Sequence, residues 1–547
     1  MPPLVIERVN ISMCTLFDSN KCFGNVSGYV QGFRNASDLL ANMDRFGISR
    51  SLVWNTEARD YSPTWGNCRL LEELKAQDCG ERLVPAFTVS PVMLYEENAM
   101  DGLIQAMTVN EVRAIRVFPG TLRHSIGQIE TLIDTLRKLK PVLFFDSKER
   151  EPLDARELLS LAEKFPDIPI VYMQGMWDEL VTMLDLMRHR ENILVDTSWL
   201  HTPQVIELIT EKFGAERMVF GTGYGSHNGA SIAALLYSDI SESQRELIGH
   251  KNLERLLGLI EINDDRDTSK LHAAGLPEDE SLWNRFISRK DLGLDIIDAH
   301  GHLGHFSTNI MKACDVEKQL EYFIPLMDAF NITAAAISGT QALSLSAPAG
   351  NRMLEEVLSH YGKKFMGYYV YNPYYRDEIL SELDHCFSRD FFIGFKIHCH
   401  QWQIPVTDTG FEPLWEYAHR HCLPILLHTW EGNLVTPAML EDIAPAYPNA
   451  IFILGHSGGG NKGRREAEEL ALRNGNVFLE FCGSFTASIP YEETVRRVGS
   501  SRVLFGTDAM FHSPVWELGR ALSMNIPEEE LVPIMGGNFR KILSLRR

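Results

Sequence analysis

Residues Arg217–Gly229 read RMVFGTGYGSHNG, and residues Arg502–Pro514 read RVLFGTDAMFHSP. Both begin with a basic residue, pass through an apolar run and reach Phe-Gly-Thr, at an offset of 285. MDRFGI at Met43 meets MDAFNI at Met327, offset 284, and PVLFFDSKE at Pro141 meets PILLHTWEG at Pro424, offset 283. NILVDTS at Asn192 meets NVFLEFC at Asn476, again at 284. Four matches in one order and at a nearly constant offset mark a duplication of a unit of roughly 260 to 285 residues. The expected boundaries are 1–262 for the first copy and 291–547 for the second. A polar connection at 263–290, opening with NDDRDTSK, joins them.

Each copy alternates apolar, β-rich runs with helical patterns. The second carries eight such runs: DIIDAH, ITAAAIS, KFMGYYV, FFIGFKIH, PILLH, IFILGH, NVFLEFC and RVLFGTD. Continuous apolar runs joined by helices are the mark of buried parallel strands. Eight βα units in about 250 residues is the size of a (β/α)8 barrel. The first copy gives the same count, from VIERVN to RMVFGT. The expected fold is therefore α/β, two tandem (β/α)8 TIM-type barrels; an open doubly wound sheet is the alternative that strand counting leaves standing.

Composition narrows the function classes. A formal charge of −21 argues against a general nucleic-acid binder. No run of eighteen apolar residues is present, and MPPLVIERVN lacks the basic start and apolar middle of a secretory leader. Nine cysteines without a Cys-x-x-Cys pair fit free thiols in a reducing compartment, so a cytoplasmic location is expected.

In a barrel the active site forms at the C-terminal ends of the strands. There the second copy repeats polar residues: Asp298, His300 and His302 at the first strand, Lys396, His398 and His400 at the fourth. His428 ends the fifth, His456 the sixth and Asp508 the eighth. Alternate positions of a strand share a face, so Asp298, His300 and His302 are expected to point together. Neutral imidazoles and a carboxylate converging on one point suit a divalent metal, with zinc expected. Lys396 reads as a bridging carboxylated lysine, a substrate-binding cation or a group buried beside the metal. His398 and His400 read as substrate-pocket residues.

These motifs, DAHGH, PILLH, ILGHSGG and LFGTD, resemble the metal-dependent amidohydrolase superfamily. The branch most similar contains the amidohydrolase 2 hydrolases and the aminocarboxymuconate-semialdehyde decarboxylase-like enzymes. The resemblance implies a metal held by His300, His302, His428 and Asp508; Lys396 leaves one ion or two open, and one is expected. It implies that His456 orients water or polarises substrate, and that Asp508 takes the proton from water. The leading expectation is a hydrolase of an amide, lactam, lactone or ester of a small molecule. The alternatives are a non-oxidative decarboxylase or other lyase of a small carboxylic acid, and a non-catalytic binding protein.

The same reading finds the first copy stripped of ligands. Ser12 faces His300, Cys14 faces His302, Phe145 faces His428 and Phe118 faces His398. Gln174 or Gly175 faces His456, and Gly223 faces Asp508. A degenerate barrel is expected, the other possibility being metal-free chemistry on Cys14, Asp146 or Asp196. It would serve as the partner in an intramolecular pseudo-dimer, with further homo-oligomers possible, and Arg116, Arg188 or Arg190 would reach toward the live pocket. No nucleic-acid or membrane partner is expected.

Overall fold

The computed structural model of the chain describes residues 14–24, 33–77, 79, 81–147, 153–223, 228–259, 280–306, 310, 312, 315–484 and 488–546. Two eight-stranded parallel sheets are present, each with its strands in sequential order. The first holds β1 (Phe17–Phe23), β2 (Arg50–Asn55), β3 (Leu83–Val89), β4 (Ala114–Val117), β5 (Val142–Asp146), β6 (Ile170–Met173), β7 (Ile193–Asp196) and β8 (Met218–Val219). The second holds β9 (Ile296–Leu303), β10 (Ile332–Gly339), β11 (Phe365–Val370), β12 (Phe392–Ile397), β13 (Pro424–His428), β14 (Ile451–Gly455), β15 (Val477–Glu480) and β16 (Val503–Leu504).

The sheets close on themselves. Ser19 N donates to Phe220 O at 2.9 Å, joining β1 to the end of β8, and Ala299 N donates to Phe505 O at 3.0 Å, joining β9 to the end of β16. A doubly wound sheet would reverse its strand order at a switch point and keep two edges. Sequential order with closure excludes it, and the fold is two tandem (β/α)8 barrels. The chain parts into two compact units between Glu280 and Ser281. Of the expected connection, residues 263–279 lie outside the described residues. Leu282–Ile287 forms a helix on the second unit, with Phe286 5.3 Å from Phe330 between ring centroids.

The repeated MDxF motif has a physical basis. In both copies it ends the helix that follows the first strand, Ala36–Phe46 and Val316–Phe330. Met and Phe are buried, and the next residue, Gly47 (φ 66°) or Asn331 (φ 54°), caps the helix in the left-handed conformation. Glycine and asparagine are the residues that adopt it most cheaply.

Below the strand ends the interiors are packed. Leu52, Val142 and Phe144 belong to the core of the first barrel, and Ile297, Tyr368 and Leu426 to that of the second. The expected first strand, Val5–Asn10, lies outside the described residues, and the strand that pairs with β2 is Phe17–Phe23. Its sequence, FDSNKCF, is no apolar run, yet all seven residues are buried. Asp18, Asn20 and Lys21 bond to Thr222, Ser198 and Gly223 O, which follow β7 and β8, so apolar periodicity passes over it.

Candidate metal centre

The second barrel gathers six of the expected site residues around one space. His302 Nε2 lies 3.1 Å and His300 Nε2 3.7 Å from Asp508 Oδ1. His300, His456 and Asp508 each offer a ligand atom within 4.8 Å of the others. Lys396 Nζ sits 2.8 Å from His300 Nε2. His428 stands beside His456, ring centroids 4.5 Å apart, and is stacked between His398 at 4.0 Å and Trp430 at 6.3 Å. His400 is exposed and lines a cavity of about 550 Å³ with His428, Trp430 and Glu431.

Three imidazoles spend Nδ1 on the protein. His300 Nδ1 meets Glu480 Oε2 at 2.8 Å, His302 Nδ1 meets Ser338 Oγ at 2.9 Å, and His456 Nδ1 meets Cys482 O at 2.6 Å. Each ring is left with Nε2 for the common space. Such a set of imidazole nitrogens with one carboxylate fits a divalent ion of the zinc or manganese kind.

The backbone aims these groups through unusual turns. His456, Ser457 and Asp508 all have positive φ, at 64°, 45° and 55°. Left-handed non-glycine residues cost free energy and gather at functional sites. Asp298 serves closure: its Oδ1 accepts from His300 N and Thr507 N, both at 3.0 Å, tying β9 to the segment that carries Asp508.

Burial sets the charge states. It pushes His300, His398 and His428 well below the usual imidazole range, lowers His302, and brings His456 to about 4. Those rings are neutral and ready to coordinate at pH 7. Burial also lowers Lys396 to about 8, opposed by the Asp508 charge. Burial alone would raise Asp508, but the hydrogen bond with His302 and the surrounding imidazoles hold it below the usual carboxylate range.

Glu480 and Cys482 were not among the expected site residues. Both are fully buried, and Cys482 Sγ lies 3.1 Å from His300 Nδ1 and 3.0 Å from Glu480 Oε2. The signal was present: in NVFLEFC they alternate at a strand end, as His300 and His302 do. An isolated acid and thiol draw less notice than paired histidines.

Recurring hydrogen bonds align the first barrel with the second. Asp18 Oδ1 accepts from Asn20 N at 2.9 Å and Thr222 N at 3.1 Å, the pattern of Asp298 with His300 and Thr507. Asn20 therefore matches His300 and Cys22 matches His302, which corrects the expected Ser12 and Cys14. Cys14 precedes the strand, its thiol donating to Thr15 O and Arg245 O, and Ser12 lies outside the described residues. Arg116 pairs with Phe144 as Lys396 pairs with Leu426, so Asp146, and not Phe145, matches His428. Gln174, with φ 58°, matches His456, and Gly223, with φ 77°, matches Asp508. The arginines expected to reach toward the live pocket have partners within their own barrel. Arg116 is fully buried against Asp146 of its own barrel, while Arg188 pairs with Asp185 and Arg190 with Glu163.

A family model described as Amidohydrolase matches the chain twice, over residues 34–259 and 297–545. No curated protein matches it. Among solved structures, 2,6-dihydroxybenzoate decarboxylase from Rhizobium is similar at 18% identity and TM-score 0.38, covering 46% of this chain and 99% of its own. A dihydroxybenzoic acid decarboxylase from a Polaromonas species, with bound manganese and 2-nitroresorcinol, is 18% identical at TM-score 0.39 and covers 46% and 98%. 5-Carboxyvanillate decarboxylase from Sphingomonas paucimobilis is 12% identical at TM-score 0.38 and covers 46% and 99%. The expectation of a hydrolase is corrected here: these three similar structures are decarboxylases. No described helix is long and apolar enough to cross a membrane.

Proposed function

The chain belongs to the amidohydrolase family, and on that premise we propose that its second barrel is a metal-dependent, non-oxidative decarboxylase or related lyase of a small carboxylic acid. The observation that carries this reading is Lys396. Its ammonium is wholly buried at the strand ends, 2.8 Å from His300 Nε2, among imidazoles that burial keeps neutral. Buried cations call for anionic partners. A substrate carboxylate entering past His398 and His400 supplies one.

Loss of carbon dioxide leaves an electron pair on carbon, and a proton must replace the departing group. His300, His302, His428 and Asp508 are the residues assigned to hold one divalent ion. When bound, it would supply the Lewis acidity that draws off that electron density. Zinc and manganese both suit these donors. With its pKa near 8, Lys396 carries its proton at neutral pH, where His456, near 4, does not. Lys396 thus binds the anion and stores the proton that replaces the departing group. His456 is held through Cys482 O and aims its other nitrogen at the reacting group. Phe306 and Phe511, 4.0 Å apart, wall the space beside His302 and exclude water.

The test is carbon dioxide release from a panel of small aromatic and aliphatic carboxylic acids by the Mn²⁺- or Zn²⁺-loaded chain, with bicarbonate-dependent carboxylation as the reverse assay. Lys396→Met should abolish turnover and keep the metal. Opening of lactones or amides without carbon dioxide release would overturn the proposal, as would tight binding of acids that are never turned over.

A further inference from the structure

We propose that the first barrel has replaced its metal pocket with a closed ion cluster, in which the Arg116 guanidinium permanently supplies the positive charge that a bound ion brings to the second barrel. The inference rests on the metal reading of the second barrel only for the comparison. The cluster itself is read from the first barrel alone.

Arg116 is fully buried on β4 at the position of Lys396. Its Nη2 donates to Asp146 Oδ2 at 3.0 Å, and its Nη1 donates to Asn20 Oδ1 at 3.1 Å. Gln174 Nε2 donates to the same Asp146 oxygen at 2.7 Å. Asn20 Nδ2 donates to Ser198 Oγ at 3.3 Å, and Ser198 in turn donates to Asp196. Asn20, Asp146 and Gln174 are the counterparts of His300, His428 and His456, while Asp196 and Ser198 are those of Glu480 and Cys482. Every one of them is bonded to Arg116 directly or through its neighbours.

The face that would carry Asp508 has changed sign. Gly223 brings no carboxylate there, and its carbonyl accepts from Lys21 Nζ at 3.1 Å. Lys21, 3.7 Å from Asp18, stands where the second barrel has Gly301. A Cβ at Gly301 would come within 2.6 Å of Ile337 Cδ1, so the second barrel has no room for such a cation. The mouth is filled as well. Trp54 and Phe118 replace Ser338 and His398, lie 4.7 Å apart, and sit with centroids 5.6 and 5.4 Å from the Arg116 guanidinium. Cations over aromatic faces are stabilised when desolvated. Charge and volume at the old site are thus both taken by the chain itself.

The experiment is a double-mutant cycle on the full chain, using Arg116→Met, Asp146→Leu and the pair. It follows the thermal transition whose midpoint is insensitive to Mn²⁺ and to chelator. Breaking one partner of a buried pair strands the other, whereas apolar replacement of both relieves it. Each single variant should lower that midpoint by about 10 °C, and the double variant by less than the sum of the two. Arg116→Lys keeps the charge and should fall between wild type and Arg116→Met, which holds the test open if a variant fails to fold. Additive losses, or no loss in Arg116→Met, would overturn the proposal. A second equivalent of Mn²⁺ that disappears in Asp146→Asn would overturn it too. If the chain binds no Mn²⁺ at all, the decarboxylase reading loses its metal, and the cycle is read on the transition that Asp146→Leu moves.

Discussion

Glu480 Oε2 lies 2.8 Å from His300 Nδ1, behind the face that His300 shows to Asp508. Burial pushes the Glu480 carboxyl up to about 8; ionised against His300 Nδ1, it holds the proton there and leaves Nε2 with its lone pair toward the site. Losing such a partner commonly costs ten- to a hundredfold in metal affinity. Glu480→Gln should therefore weaken Mn²⁺ binding by about 10- to 100-fold, read by calorimetry, with an unchanged far-ultraviolet spectrum. Wild-type affinity in that variant would show that Glu480 only fills space.

His300→Ala and Asp508→Asn remove donors assigned to the ion itself. Each should reduce metal content from about one ion per chain to nearly none by elemental analysis. Global unfolding is not expected. The barrel interior beneath the site is packed by Ile297, Tyr368, Ile393 and Leu426, independently of the ion. Two tightly held ions per chain in the wild type would refute the single-ion assignment.

Acid should strip the site later than it strips free imidazoles. Burial holds His300 and His428 well below the usual range and His456 at about 4. Such rings bind fewer protons folded than unfolded. Stability from them is whole above the unfolded value of about 6.5 and falls as pH drops from there toward the folded values. Protons compete with the metal only where the folded rings titrate. After dialysis at stepped pH, Mn²⁺ occupancy should hold at about pH 6.5 and be lost between roughly pH 6 and 4. Half-loss at or above pH 6.5 would show the rings to be as accessible as free imidazole.

Both barrels were legible because duplication repeats a pattern that burial enforces. PILLH and IFILGH are strands β13 and β14 to within one residue, since parallel strands inside a barrel must be apolar throughout. β1 defeated that rule. FDSNKCF hides Asp18, Asn20 and Lys21 in hydrogen bonds to Thr222, Ser198, Arg116 and Gly223 O, and shifting its register from Cys14 to Cys22 moved the counterparts of two ligands. His300, His302, His456 and Asp508 stood out by residue type. Glu480, Ser338 and the Cys482 carbonyl did not, because what they do for the rings depends on which atoms meet across strands.

Gly459 is the position where a single methyl group should reach the chemistry. Its φ is 73°, and a Cβ there would lie 2.3 Å from Trp430 Cδ2. That ring stacks within 12° of His428, which stacks within 13° of His398. Gly459→Ala adds the strain of a left-handed alanine and drives the indole out of the stack. A destabilisation of about 1–3 kcal/mol is expected from the backbone and the clash together. Because the displaced Trp430 no longer fixes His428, Mn²⁺ affinity should fall with stability. Gly432→Ala provides the control. It also has positive φ, 71°, but nothing lies within 4 Å of its Cβ, so it should lose stability and keep the metal. Equal metal affinities in the two variants would mean that the Trp430–His428 stack does not position the ligand.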